Sequence, residues 1–321
     1  LKSHIDGDGD RFLSVAMQIA AHEARQGHGK LAEDVKSLVD AAKTREPHVT
    51  LQRNPVPMAQ PRGELANLLT ARYPTERLVD MVLPETIEAR LHRVLREQQQ
   101  QELLRSHGLN PRHKMLLVGP PGAGKTMTAA ALAGELHLPL FTVVLDGLIN
   151  KFMGETASKL RLVFDAMKAT RGVYLFDEFD AIGAKRSERQ DVGEIRRVLN
   201  SFLQFLEQDE SSSLIVAATN HPELLDQALF RRFDDLIEYQ LPDREQITRL
   251  TKVRLAGFGT VGLDWSAIAD KAVGLSAAEV VRAAEDAAKH VILGGGFTIS
   301  TEVLQASLDE RRNAPSLTSV K

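Results

Sequence analysis

The sequence predicts an α/β protein: a parallel sheet with helices on both faces, preceded by one helical segment and followed by another. Two observations carry this reading. From Lys114 onward, short apolar runs at 115–118, 140–144, 173–176, 214–218 and 236–240 alternate with stretches of helical pattern. The first run also passes straight into Gly-Pro-Pro-Gly-Ala-Gly-Lys-Thr at 119–126 and then into an Ala-rich helical stretch, Thr128 to Leu138. Strand, glycine loop and helix thus follow one another without a break.

Each element has its own reason. Phe12, Leu13, Val15, Ala16, Ile19 and Ala20 recur at helical spacing, as do Leu31, Val35, Leu38 and Val39, with Gly27-His-Gly29 between them. A helical hairpin over 1–45 follows. Prolines 47, 55, 57 and 61 make 46–75 an extended linker and entry segment. A core-facing helix is expected over Thr86–Ser106, stopped by Gly108, with Gln98 to Gln101 on its solvated face. Asp191 to Gln208 reads as an amphipathic helix with Ile195, Val198, Leu199, Phe202, Leu203, Phe205 and Leu206 inward. The polar stretch before it, Lys185 to Gln190, reads as a loop.

The glycine loop fits the phosphate-binding pattern G-x-x-x-x-G-K-[ST], with Gly119, Gly124, Lys125 and Thr126 at the defining positions. Glycines at 119, 122 and 124, with Pro120, Pro121 and Ala123 between them, let the backbone curl so that N–H groups face phosphate oxygens. The helix N-terminus adds partial positive charge there. Lys125 is expected to reach the β- and γ-phosphates of ATP, and the Thr126 hydroxyl to help hold Mg²⁺. The strand at 173–176 ends in Asp177 and Glu178. Ligands of parallel sheets sit beyond the carboxyl ends of the strands, which brings both acids to the loop. Asp177 is the expected Mg²⁺ partner and Glu178 the general base for water. Without the glycine loop, the same Asp-Glu pair would read as a solvated turn.

With these motifs in place, the chain resembles the AAA family of ATPases over residues 76–312. Leu214-Ile-Val-Ala-Ala-Thr-Asn220 is similar to the family's sensor strand, which implies that Asn220 orients the attacking water. Pro222 to Asp234 resembles the family's second region of homology, where arginines enter the neighbouring subunit's site. Arg231 and Arg232 match, but they are adjacent where the family separates its arginines by two residues, so either one is a candidate finger. A surface arginine pair is the alternative. Lys151-Phe-Met-Gly-Glu155 resembles the family's pore loop, with Phe152 and Met153 gripping a polypeptide and Gly154 turning the chain. Core packing is the alternative for both side chains. The segment from Asp243 to about Arg312 looks like the family's small helical domain. Gly274-Leu-Ser-Ala-Ala-Glu279 matches its helix start beside the adenine, which places Ala278, with Met127, among the nucleotide contacts. Ala277 stands where many wider relatives carry a sensor arginine, which fits the core AAA clade.

The resemblance implies a P-loop NTPase large domain at 76–242, a small helical domain at 243–312 and a tail at 313–321. It implies a ring homo-oligomer, a hexamer, that remodels or threads a protein substrate. The run Asn150 to Arg161 and Leu229 to Asp234 are also similar to small bacterial AAA proteins encoded beside subtilisin-like proteases, some in phage defence. That likeness supports the alternative: an ATP-switched regulator that gates a partner protease.

Composition bounds the rest. The 321 residues suffice for two or three domains. A net charge of −3 argues against a nucleic-acid-binding surface, and the absence of cysteine rules out disulfides and thiolate metal sites. No apolar stretch has the length of a membrane span, and Leu13 to Ala21 is too short and too acidic in its flanks for a signal peptide, so a cytoplasmic protein is expected. Asp6-Gly-Asp-Gly-Asp10 fails as a calcium loop because Arg11 and Met17 occupy its glycine and glutamate positions. His22-Glu23 lacks the second histidine of a zinc-protease helix, since position 26 is Gln26.

Overall fold

Six strands, β1 (Leu69–Arg72), β2 (Lys114–Val118), β3 (Leu140–Val143), β4 (Val173–Phe176), β5 (Leu214–Thr219) and β6 (Asp235–Glu238), form one sheet in the order β1-β3-β4-β5-β2-β6. Every pair among β2 to β6 is parallel, as the alternation of strand and helix requires. The computed structural model describes residues 60–148, 155–180, 192–225 and 227–313. The hairpin expected over 1–45, linker residues 46–59, Phe152, Met153, Gly154, the loop at 185–190 and tail residues 314–321 lie outside the described residues.

The helices are α1 (Glu85–Gln99), α2 (Gln101–Ser106), α3 (Lys125–Leu136), α4 (Leu145–Leu148), α5 (Glu155–Ala169), α6 (Val192–Gln208), α7 (Gln227–Phe230), α8 (Arg244–Arg254), α9 (Trp265–Ala272), α10 (Ala277–Leu293) and α11 (Thr301–Asn313). Strand side chains alternate between two apolar layers. Leu116 and Val118 join Phe141, Tyr174, Phe176 and the α5–α6 side chains Phe164 and Phe202 on one face. Met115 and Leu117 join Leu175, Val216, Leu91 and Leu132 on the other, against α1 and α3. Because both faces are covered, β2 is buried at all five positions, hence its uninterrupted apolar run after Lys114.

Helices α8 to α11 bury a third cluster, with Ile247, Ile268, Leu275, Ala284 and Leu304 inside it. Their starts are fixed locally. Asp243 and Gln246 form a reciprocal cap on α8, Ser276 and Glu279 do so on α10, and Asp264 accepts the Ala267 N–H on α9 at 3.0 Å. Among the described residues, no helix is long and apolar enough to cross a membrane.

Three features differ from the sequence reading. Strand β1 falls inside the stretch read as linker and entry segment. It lies antiparallel to β3 at the sheet edge, Leu69 opposite Val143 and Arg72 opposite Leu140. Only Leu69 of its four residues is buried, so it carries no apolar run to announce it. The helix expected over 86–106 is broken at Gln100 (φ −107°, ψ 25°) into α1 and α2. Gln98 is not on a solvated face: it is 1% exposed, and its Nε2 donates to the Arg112 carbonyl at 2.7 Å. The chain returns against α1 just before β2, and that contact is invisible to helical periodicity. Gly108, by contrast, takes φ 74° after α2, as a left-handed helix stop requires.

The segment before α1 is clamped onto α3. Arg77 pairs with Glu135 at 3.0 Å, and the Leu78 N–H donates to the same carboxylate at 3.3 Å. A Cβ on Gly134 would lie 2.2 Å from the Glu76 carbonyl oxygen. Alanine is intrinsically better in a helix by roughly 1 kcal/mol, but the clash is with backbone and has no easy relief. Gly134→Ala is therefore expected to lower stability by about 1–3 kcal/mol, read as a lower denaturant midpoint.

Candidate active site

Strands β4, β5 and β2 are neighbours, so whatever follows their carboxyl ends is brought together. Val118 is opposite Thr219, and Phe176 is opposite Ala217. Just beyond, the Gly119 N–H donates to the Thr219 carbonyl at 3.3 Å and the Phe179 N–H to the Ala218 carbonyl at 2.8 Å. The loop 119–126, the acids Asp177 and Glu178, and Asn220 therefore lie side by side beyond the carboxyl ends of these central strands.

The loop is held from behind and from the side. A Cβ on Gly119 would meet the Tyr239 carbonyl oxygen at 2.4 Å, and the Tyr239 hydroxyl lies 2.6 Å from Thr128 Oγ1 under the loop. Burial pushes the Tyr239 hydroxyl up to about 12, which keeps it protonated beside Thr128. On the other side, the Ala278 N–H donates to the Gly122 carbonyl at 3.0 Å. Gly122 has φ +73°, and a Cβ there would lie 2.7 Å from Ser276 Oγ. The first turn of α10 thus rests on the loop, and only glycine admits it so close.

Lys125 is buried, and its ammonium donates to three acceptors: the Gly119 carbonyl at 2.7 Å, the Pro120 carbonyl at 2.8 Å and Asn220 Oδ1 at 2.7 Å. All three of its protons are engaged, so a phosphate oxygen must take over at least one of them. Burial lowers the Lys125 pKa from its ordinary value, and the charges of Asp177 and Asp180 oppose that shift. Thr126 Oγ1 donates to Asp177 Oδ2 at 2.7 Å. That pair presents a hydroxyl and a carboxylate at the mouth of the loop, hard oxygen donors that suit Mg²⁺.

Glu178 is exposed and has φ 49°, left-handed for a residue with a side chain. Its N–H donates to Asp177 Oδ1 at 3.0 Å, and the next residue, Phe179, is fully buried 4.7 Å from the Phe202 ring. The aromatic anchor turns the chain sharply and leaves the Glu178 carboxylate outside the core. The sequence reading missed Asp180. Its Oδ1 accepts from Thr219 Oγ1 at 2.9 Å and from the Asn220 N–H at 3.3 Å, tying the Asn220 backbone to the acid-bearing turn. The signal was present as a third acid in Asp-Glu-Phe-Asp, but its partner is forty positions away.

These groups open onto a cleft of ≈ 590 Å³. One end is lined by Pro121 to Met127, Asp177, Glu178 and Asn220. The rest of the lining is largely apolar, with Met81, Val82, Leu83, Leu250, Val253, Ala278 and Val281, and includes Arg254. Gly119 and Pro120 contribute from behind, through the carbonyls that Lys125 holds. A charged end rich in N–H donors and an apolar end fit the triphosphate and the base of a nucleotide. The 80–83 wall was not legible, because nothing in its residue types distinguishes it from a linker.

Neither Arg231 nor Arg232 is among the residues that line this cleft. Arg232 pairs with Glu207 of α6, Nε to Oε1 at 2.6 Å. Arg231 is exposed and has no hydrogen-bonding or charged partner among the described residues. The loop carrying them is anchored to β2, since Asp234 Oδ2 accepts the His113 and Lys114 N–H groups at 2.8 and 3.0 Å.

The family model described as "ATPase family associated with various cellular activities (AAA)" matches residues 115–241. An uncharacterized AAA family ATPase of Sinorhizobium fredii is 33% identical over 290 residues, covering 89% of this chain and 86% of that protein. A proteasome-activating nucleotidase of Pyrococcus horikoshii is 38% identical over 199 residues, 60% of this chain and 50% of that one. An ATP-dependent zinc metalloprotease, FtsH 3 of Sphaerobacter thermophilus, is 34% identical over 221 residues, 67% and 45%. The chain spans about half the length of these last two relatives. Among solved structures, the FIGL-1 AAA domain superposes with a TM-score of 0.61 at 21% identity, over 78% of this chain and 87% of that one, a likeness of fold.

Proposed function

Because the chain belongs to the AAA family of ATPases, we propose that it works as a ring-forming ATPase, a hexamer, that remodels or threads a protein substrate in the cytoplasm. In this reading residues 76–242 form the ATPase domain and 243–312 a small helical domain that closes over the nucleotide. The observation that carries the ring is the exposed Arg231: it lies outside the cleft of its own chain and has no partner among the described residues, as an arginine that serves a neighbour's cleft would.

The chemistry assigned to the site follows from its contacts. The N–H groups of Gly122 to Thr126 and the Lys125 ammonium hold the β- and γ-phosphates. Thr126 and Asp177 would hold Mg²⁺, which when bound would neutralise charge on the phosphate oxygens. Asn220, fixed through Asp180, orients a water molecule. Glu178 takes the proton as water attacks the γ-phosphorus and the bond to the bridging oxygen breaks. Arg231 of the neighbour stabilises the charge that develops. With the arginine supplied from outside, hydrolysis depends on assembly.

A second reading is favoured by the relatives' names, one an activator of the proteasome and one itself a protease. In it the ring is an ATP-driven switch that gates a partner protease, for which a subtilisin-like enzyme is the candidate, in bacterial phage defence. Phe152, which lies outside the described residues, separates the two. If the chain threads polypeptide, Phe152→Ala is expected to keep its thermal melt and ATP binding while partner-dependent activity on the substrate disappears. A normal melt with full partner activity favours the switch. A melt lowered by the equivalent of about 3–5 kcal/mol returns Phe152 to the core.

A further inference from the structure

We propose that His113 is a positioning residue for the loop that carries Arg231 and Arg232, its charged ring tying that loop to the end of α6; this rests on the loop acting at a neighbour's nucleotide. His113 directly precedes β2, at the end of the strand opposite the phosphate loop. It lines a cleft of ≈ 970 Å³ there together with Asp209 and Asp234. Its ring meets both carboxylates. Nε2 is 3.6 Å from Asp209 Oδ2, and Nδ1 is 3.5 Å from Asp234 Oδ2 and 3.2 Å from the Pro111 carbonyl oxygen.

A neutral imidazole has a proton for only one of its nitrogens, so the other would turn a lone pair on an oxygen. At Nε2 that oxygen is wholly buried: the Asp209 side chain is 0% exposed, and Nε2 has no hydrogen-bond partner among the described residues. Burial pushes the Asp209 carboxyl up, but the His113 ring, the Ser211 hydroxyl and the Lys114 charge outweigh it and hold the group below its ordinary value. With Asp209 an anion, only the doubly protonated ring suits both contacts. Lys114 does not replace it, since its ammonium donates to the Asp209 carbonyl at 3.3 Å. The remaining charged groups of the cleft are Glu97 and Arg112, which pair with each other, Arg105, Glu207 and Glu210. Asp209 stands two residues beyond Glu207, and Asp234 two beyond Arg232. The Glu207–Arg232 pair and the His113 bridge thus join the same two stretches of chain, 207–209 and 232–234. A cation that gains partners on folding contributes fully at low pH and loses that contribution as the pH rises. Histidine side chains make this change between about pH 5 and 8.

The test is ATP turnover and denaturant midpoint of the full chain from about pH 5.5 to 8.5, each variant taken relative to wild type at the same pH so that titrations elsewhere cancel. His113→Gln, which cannot take a charge, is expected to turn over about 3- to 30-fold more slowly than wild type at the acid end, the range of a hydrogen bond to a charged group, and to match it at the alkaline end. Its midpoint is expected to lie below wild type at the acid end and to converge with it in the same way. His113→Lys, which stays charged throughout, is expected to recover more than half of the turnover loss on a logarithmic scale and to exceed wild type at the alkaline end. A His113→Gln deficit that does not change with pH overturns the proposal in favour of a merely structural ring, and no deficit at any pH overturns it outright. The double variant Arg231→Ala, Arg232→Ala is the control for the loop. Undiminished turnover there sinks the loop's role in hydrolysis rather than the bridge. The midpoint then judges the bridge: a gap that closes with rising pH upholds it, and a gap independent of pH overturns it.

Discussion

Glu178→Gln is expected to bind ATP with near wild-type affinity and to hydrolyse it about 10²–10⁴-fold more slowly, the usual contribution of a positioned general base. Two contacts make the separation clean. The Thr126–Asp177 pair does not involve the Glu178 carboxylate, so the oxygens proposed to hold Mg²⁺ persist in the variant. The backbone N–H of Glu178 caps Asp177 Oδ1 whatever the side chain, so the left-handed turn has the same support. Lys125→Ala is expected to do the opposite and abolish binding, because the ammonium that meets Gly119, Pro120 and Asn220 is the cation that the glycine loop itself carries into the cleft. Steady-state phosphate release and nucleotide binding on the two variants check both statements. Near-normal turnover in Glu178→Gln would remove it as the base.

Arg231→Ala is expected to lower turnover by about 10³–10⁵-fold, the contribution of an arginine supplied in trans in other nucleotide hydrolases. Arg232→Ala is expected to lower it less, because Arg232 is engaged by Glu207 within its own chain and acts by bracing the loop. Mixing Arg231→Ala with Lys125→Ala subunits then restores part of the activity: an intact phosphate site from one meets an intact finger from the other. The measurement is turnover per subunit across a dilution series and across mixing ratios. Full activity in Arg231→Ala, or turnover per subunit that does not change on dilution through the assembly range, defeats the trans-acting role. A larger loss in Arg232→Ala than in Arg231→Ala reverses the assignment between them.

How much was legible depends on how local each feature is. The parallel sheet could be read because its central strands are buried on both faces and must be apolar throughout, as β2 and β5 are. β1 could not, because an edge strand with one buried residue has no such signature. The α1–α2 break and the buried Gln98 arise from the chain returning near Arg112, a contact with no trace in the helical repeat. In the site, the loop, Asp177, Glu178 and Asn220 announce themselves because each directly follows a strand. Asp180, Glu207 and Arg254 do not, since their meaning lies in partners 40, 25 and 31 positions away along the chain.

By itself, the sequence determined the local chemistry: a glycine loop that can wrap phosphate, a lysine and a threonine at its end, and two acids beyond a buried strand. These are consequences of backbone geometry over a few residues, where side-chain size and φ decide the outcome. Only the tertiary structure decided which of two adjacent arginines stays open. Arg231 and Arg232 are alike in type and neighbouring in position, and the difference comes from Glu207 on another helix capturing one of them. It likewise decided what borders the cleft, by resting α10 on Gly122 and bringing Arg254 of α8 into the lining. Charge pairing and close packing act through space, and a strand order of β4-β5-β2 brings together residues that chain order keeps apart.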